Sequence, residues 1–239
     1  MRGWWREISG LVLPVACGGC GRPRTELCGG CAAALAEVPQ RVRPAPEPAG
    51  LPVVHAAAPY ENAVRAMLLA HKERGALGLA GALGGALAGA VRAGAGQGGR
   101  AGPLLLVPVP SARRATAARG HDPARRIALA AAAELRRGGT PARVLAVLRQ
   151  RRAVADQAGL GARERQANLA GALTVAAGGL RLLDGGGVVL VDDLLTTGAS
   201  LAEAARAVGA AGRAGTGAAG GLRAAVVAAS PTAFEINRN

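Results

Sequence analysis

A chain of 239 residues that is half apolar holds enough material for one ordinary domain with a small appendage, or for two small domains. Its formal charge of +14 is carried by arginine, with Lys72 the single lysine. That suits an anionic partner, a phosphorylated small molecule or a nucleic acid, against the plainer reading of a solvated basic face. The only aromatics are Trp4, Trp5, Tyr60 and Phe234, so the core is to be built from Ala, Leu and Val, and a base-stacking platform for single strands is excluded.

Residues 1–17, MRGWWREISGLVLPVAC, loosely resemble a secretion signal. Their apolar run at 11–16 is only six residues long, is broken by Pro14 and follows Glu7, all poor features for such a segment. Residues 75–91 are uncharged over 17 positions, but six of these are glycine and the stretch falls short of a span. Neither segment reads as membrane-crossing, and the expected location is the cytoplasm.

All four cysteines lie in CGGCGRPRTELCGGC, residues 17–31. The C-x2-C-x7-C-x2-C spacing sets Cys17/Cys20 and Cys28/Cys31 on two tight turns, and glycine lets each turn bend. Four thiolates so placed are what tetrahedral Zn2+ takes. Disulfides and a redox CxxC compete with that reading; a reducing cytoplasm disfavours the first, and duplication of the pair argues for metal. The expectation is a closed, structural Zn2+ site that folds a lobe of residues 1–38. Residues 39–52 hold five prolines without periodic apolar pattern and read as a linker to a domain at 53–239.

From there apolar runs alternate with helical patterns. Residues 51–58 read as a strand, and 60–73 as a helix with Val64, Met67, Leu68 and His71 on one face. A looser helix follows, then a buried strand at 104–110. Asp122 and Pro123 sit at cap and first-turn positions of a helix to 137. Strands are expected at 143–148, 188–191 and 222–229, with helices at 162–169 and 198–212. This alternation defines an α/β protein with a parallel sheet. Residues 111–152 carry eleven arginines against Asp122 and Glu134, a local net of +9.

The run GGGVVLVDDLLTTGAS, 185–200, carries the most chemistry. A strand buried on both faces delivers Asp192 and Asp193 to the crevice where open α/β sheets bind ligands. Adjacent carboxylates disfavour each other's ionisation and need hydroxyl donors or a cation nearby. Vicinal ribose hydroxyls supply the donors, and Mg2+ shares such a site. Thr196, Thr197, Gly198, Ala199 and Ser200 lead into a helix whose first amides, with three hydroxyls, make a phosphate pocket. A cap role for one aspartate is the plain alternative; it leaves the rest of the run without a reason.

VVLVDDLLTTGAS resembles the phosphoribosyl pyrophosphate signature of type I phosphoribosyltransferases. Over nearly the whole chain the resemblance is to the ComF family, associated with DNA uptake. It rests on the tandem CxxC lobe and on YENAVRAMLLAHKERG (60–75), VPVPSARRATAARGHD (107–122) and DQAGLGARERQANLAGAL (156–173). The resemblance implies a type I phosphoribosyltransferase-like domain behind a zinc lobe. It places the ribose hydroxyls on Asp192 and Asp193, and the 5′-phosphate on Thr196 to Ser200. It sets Ser111, Arg113 and Arg114 near the pyrophosphate, with Lys72 and Arg119 as further candidates. RGHD at 119–122 departs from the expected RGF/YN, and His121 is expected at the surface rather than as an acid–base group.

The function implied is Mg2+-dependent transfer of a phosphoribosyl group to an amine or base. The second reading is an accessory protein of DNA uptake or processing that binds nucleic acid, single- or double-stranded, through phosphates or meets other DNA-processing proteins. No motif reads out an acceptor base.

Overall fold

The computed structural model describes residues 15–95, 102–154, 159, 161–213 and 222–235. The reading of residues 1–14 lies outside these. The elements in chain order are α1 (Gly29–Ala33), β1 (Gln40–Val42), β2 (Val53–Pro59), α2 (Asn62–Glu73), a 3-10 turn (Leu77–Leu79) and α3 (Ala80–Ala95). Then come β3 (Leu104–Pro108), α4 (Arg113–Arg119), α5 (Pro123–Arg137), β4 (Ala142–Val144), β5 (Leu148–Gln150), α6 (Ala162–Leu169) and β6 (Leu173–Val175). The chain closes with α7 (Gly179–Leu183), β7 (Gly187–Leu195), α8 (Ala199–Val208), a π-turn (Gly209–Arg213), β8 (Arg223–Ala229) and α9 (Thr232–Glu235).

Six strands form one sheet in the order β1-β2-β8-β7-β3-β4. All neighbours are parallel except β1, which pairs antiparallel with β2. The α/β class with a mostly parallel sheet therefore stands as expected. Pleating divides the core into two layers, because successive strand residues point to opposite faces. Leu106, Val189, Val191, Ala225 and Val227 meet α2, α3 and α5 on one face. Leu105, Val107, Val188, Leu190, Ala224 and Val226 meet α8 on the other.

The helices follow their apolar stripes. In α2, Val64, Met67, Leu68 and His71 are all buried. Asp122 caps α5, its side chain accepting from Arg125 N at 3.1 Å, with Pro123 in the first turn. Helices α3 and α5 approach closely because Gly84 lacks a side chain; a Cβ there would lie 2.5 Å from Ala130 Cβ. Among the described residues one helix, Leu77–Ala95, is long and apolar enough to cross a membrane, and 50% of its apolar window is buried in the protein.

Several boundaries differ from the sequence reading. The proline-rich linker contains β1, an edge strand of three residues whose Val42 alone is buried. The single strand expected at 143–148 is two. Leu145 N still bonds Leu106 O, and then the chain turns into β5, which pairs antiparallel with β6 in a separate ribbon. Helix α4 buries no residue, which is why no apolar period announces it. Strand β7 runs on past Val191, through both aspartates, to Leu195.

Candidate functional site

The connection from β3 through α5 leads to β4 at one edge of the sheet, while that from β7 through α8 leads to β8 in the opposite direction. Because β3 and β7 are neighbours, the strand order diverges between them, and a crevice opens at their carboxyl ends. Asp192 and Asp193 lie at that end of β7, and the 109–112 turn at that end of β3.

The pleat separates the two acids. Asp193 is 6% exposed and turned inward, where its Oδ2 accepts from Lys72 Nζ at 2.8 Å. Asp192 is half-buried, and its Oδ1 accepts from Asp193 N at 2.9 Å. Burial, then the charge of Asp193, holds the Asp192 carboxyl well above its usual range, against the pull of Lys72. Burial alone would lower Lys72; the charge and hydrogen bond of Asp193 overcome it and leave the ammonium above its ordinary value. The cation that adjacent carboxylates need is thus already present for Asp193.

Thr196, Thr197 and Gly198 link β7 to α8. Gly198 has φ +76°, and a Cβ on it would lie 3.2 Å from Pro48 and from Leu51, so its glycine serves the backbone turn and the linker packed behind it. No hydrogen bond among the described residues uses the backbone N–H groups from Thr196 to Leu201. The last of these belong to the first turn of α8, where amides have no intrahelical acceptor and carry the positive end of the helix dipole. Ala199 is buried, Ser200 half-buried, and Thr196 Oγ1 accepts from Arg165 Nη1 at 3.2 Å.

The residues expected near the pyrophosphate lie on the turn after β3 and on α4. Ser111 N donates to Asp122 Oδ2 at 3.4 Å. Arg113 leans on Gln150, and Arg114 is exposed. Arg119 is held by two 2.8 Å bonds to Glu73 and so faces α2, next to Lys72. His121 is half-buried rather than on the surface: its Nε2 lies 3.2 Å from His71 O and its ring 5.7 Å from that of His71. His71 itself is fully buried, which pushes its imidazole down towards the neutral form.

The sequence reading missed Arg165. It lies on α6, a helix with one buried residue, so no apolar stripe picks out any of its positions.

The four cysteine sulfurs lie within 4.8 Å of one another, a set that can hold a metal ion. None forms a disulfide. Cys20 Sγ and Cys28 Sγ are 3.6 Å apart, close to the roughly 3.8 Å edge of a tetrahedron with metal–sulfur bonds of about 2.3 Å. Backbone N–H groups of Cys20 and Cys28 draw Cys17 down to about 6, while burial pushes Cys31 up to about 12. The two CGGC turns are not equivalent. A Cβ at Gly19 would lie 2.6 Å from Cys31 Sγ, and one at Gly18 2.6 Å from Leu79, whereas Gly29 and Gly30 face open space. Lack of room, not a left-handed turn, requires glycine in the first pair. Cys17, Cys28, Cys31 and Leu35 share one apolar layer with Met67 and Leu79.

No family model matches the chain, and no curated protein matches it.

Proposed function

We propose that the chain is a phosphoribosyl-pyrophosphate-binding protein with a type I phosphoribosyltransferase-like domain, similar to the ComF family, and that it works in the cytoplasm. The observation that carries this reading is the unbonded run of amides from Thr196 to Leu201, directly behind an acid-bearing strand at the switch point of the sheet. The loop takes the 5′-phosphate, and Asp192 accepts from the ribose hydroxyls. Asp193, neutralised by Lys72, fixes the end of the strand.

In the reaction the C1–O bond of the donor breaks, its electron pair leaves with pyrophosphate, and a C1–N bond forms to an amine or base. Mg2+ bound with the donor would neutralise the leaving group. Ser111, on the turn at the end of the neighbouring strand, and Arg113 and Arg114, at the start of α4, bind the departing pyrophosphate. Zn2+ suits the four cysteines: a closed all-sulfur site folds the lobe and takes no part in the chemistry.

Hydrogen exchange tests the carrying observation. Amides 196–201 exchange rapidly in the free protein and become protected on adding the Mg2+ complex of the donor. Unchanged exchange at saturating donor removes the phosphate from this loop. A screen for pyrophosphate release over bases and amines then separates an enzyme from a binding protein.

The second reading is an accessory role in DNA uptake or processing, alongside other DNA-processing proteins. It is favoured by Arg125, Arg126, Arg143, Arg149 and Arg151, which are exposed and make no ion pair among the described residues. Nucleic-acid binding of this kind is sequence-blind and falls steeply with salt; salt-insensitive affinity counts against it.

A further inference from the structure

Helix α6 brings a guanidinium onto the loop that follows β7. Arg165 Nη1 donates to Thr196 Oγ1 at 3.2 Å, and Arg165 Nε is buried without a partner among the described residues. Nε is closed to solvent, so the part of this guanidinium open to a ligand is its Nη end, beside Thr196. Because the Thr196 hydroxyl accepts from Arg165, its own proton is left to donate outward. The neighbouring amides, Thr196 to Leu201, are likewise donors without acceptors.

The helix that carries Arg165 is fastened at both ends. At its start Gly161 N donates to Glu164 Oε2 at 2.7 Å. At its end Arg152 Nη2 donates to Asn168 O in the last turn and to Ala170 O just beyond it, at 2.8 and 2.9 Å. Strand β6, which follows, is gripped by α8: Leu173 N donates to Glu203 Oε1 at 2.8 Å, and Arg206 Nη2 to Leu173 O at 2.9 Å. The guanidinium and the amides it accompanies are thus both referred to α8, which pre-organises them as one receptor.

We infer that Arg165 binds the terminal phosphate of the ligand together with Thr196 and the loop amides, and that it gives the crevice its preference for a 5′-phosphorylated pentose over the unphosphorylated sugar. The inference rests on the phosphoribosyl reading of the crevice and adds a residue outside the acid-strand-and-turn run. A guanidinium presents two parallel N–H donors to a phosphate, whereas lysine offers a point charge, so the two are not equivalent here.

The test is a calorimetric titration of the metal-loaded full chain with ribose 5-phosphate, ribose, and the Mg2+ complex of phosphoribosyl pyrophosphate. It compares wild type with Arg165→Gln, Arg165→Lys and Thr196→Val. Arg165→Gln is expected to weaken ribose 5-phosphate by about tenfold or more, and Arg165→Lys to recover part of that loss. Thr196→Val is expected to lose about threefold with the arginine intact. If Arg165→Gln fails to fold, Arg165→Lys and Thr196→Val carry the comparison, and unchanged affinity in both overturns the assignment. Donor binding in the wild type with Arg165→Gln unimpaired removes the role of Arg165 alone. A wild type that binds neither phosphorylated ligand removes the phosphoribosyl reading as well.

Discussion

Lys72 Nζ and Asp193 Oδ2 meet at 2.8 Å although 121 positions separate them in sequence, and the contact ties α2 to the carboxyl end of β7. The Asp193 side chain is 8% exposed and that of Lys72 34%, so the lysine is the partner that water can reach. Removing it leaves a buried carboxylate without a counter-charge. Lys72→Met is expected to cost about 1–2 kcal/mol, less than a fully buried pair because the lysine is partly solvated. Adding Asp193→Asn to that variant recovers part of the loss. Urea denaturation of Lys72→Met, Asp193→Asn and the double variant checks this, and strictly additive costs contradict it. The ammonium is held above its ordinary 10.5, so its contribution is complete below that pH and is lost as pH rises through the folded value.

Glu203 is the other buried acid with a structural partner. Burial would raise its carboxyl, but the Arg206 guanidinium and the Leu173 N–H overcome that and hold it below its ordinary 4.5. Its stabilisation is therefore present above that pH and fades as pH falls through the folded value. Glu203→Gln is expected to cost about 1–3 kcal/mol at pH 7. The Tm gap between variant and wild type is expected to narrow as pH falls below 4.5 and through the folded value. A gap independent of pH places the stabilisation elsewhere.

Gly198 combines φ +76° with Pro48 and Leu51 at 3.2 Å from a would-be Cβ. Gly198→Ala is expected to destabilise the fold by about 1–2 kcal/mol and to loosen the loop. Denaturation with a ligand titration at saturating phosphate measures both. A variant as stable as wild type shows that the turn does not need its left-handed residue.

Chelation and substitution at the cysteines test the metal centre. One Zn2+ per chain is expected, released when the four thiols are titrated. Gly19→Ala is expected to weaken metal binding because its Cβ meets Cys31 Sγ at 2.6 Å, while Gly30→Ala, facing open space, retains it. Since Cys17, Cys28 and Cys31 lie in the same apolar layer as Met67, metal removal is expected to lower the Tm of the whole chain. A second, unaffected transition contradicts this.

What could be read in the sequence was what neighbours in sequence determine. The apolar face of 60–73, the Asp122 cap and the buried strand before the acid pair each depend on residues a few positions apart, and each appears in the structure. The edge strand at 40–42 hides among prolines because it buries only Val42, and α4 hides because it buries nothing. Side-chain partners across the fold were beyond pattern. The bond from Lys72 to Asp193, that from Arg165 to Thr196 and the burial of His121 against His71 all follow from how helices dock on the sheet. The paired aspartates were legible as a motif. That the pleat would turn one inward and leave the other in the crevice needed β7 to be seen running through them.

The central proposal, a phosphoribosyl pyrophosphate site on β7 and the loop behind it, is tested most directly by calorimetric titration with the donor and Mg2+. One molecule is expected to bind per chain, with affinity reduced by about tenfold or more in Asp192→Asn, on the order of the hydrogen bonds lost. No heat of binding in the folded, metal-loaded wild type, or the same affinity in Asp192→Asn, contradicts it.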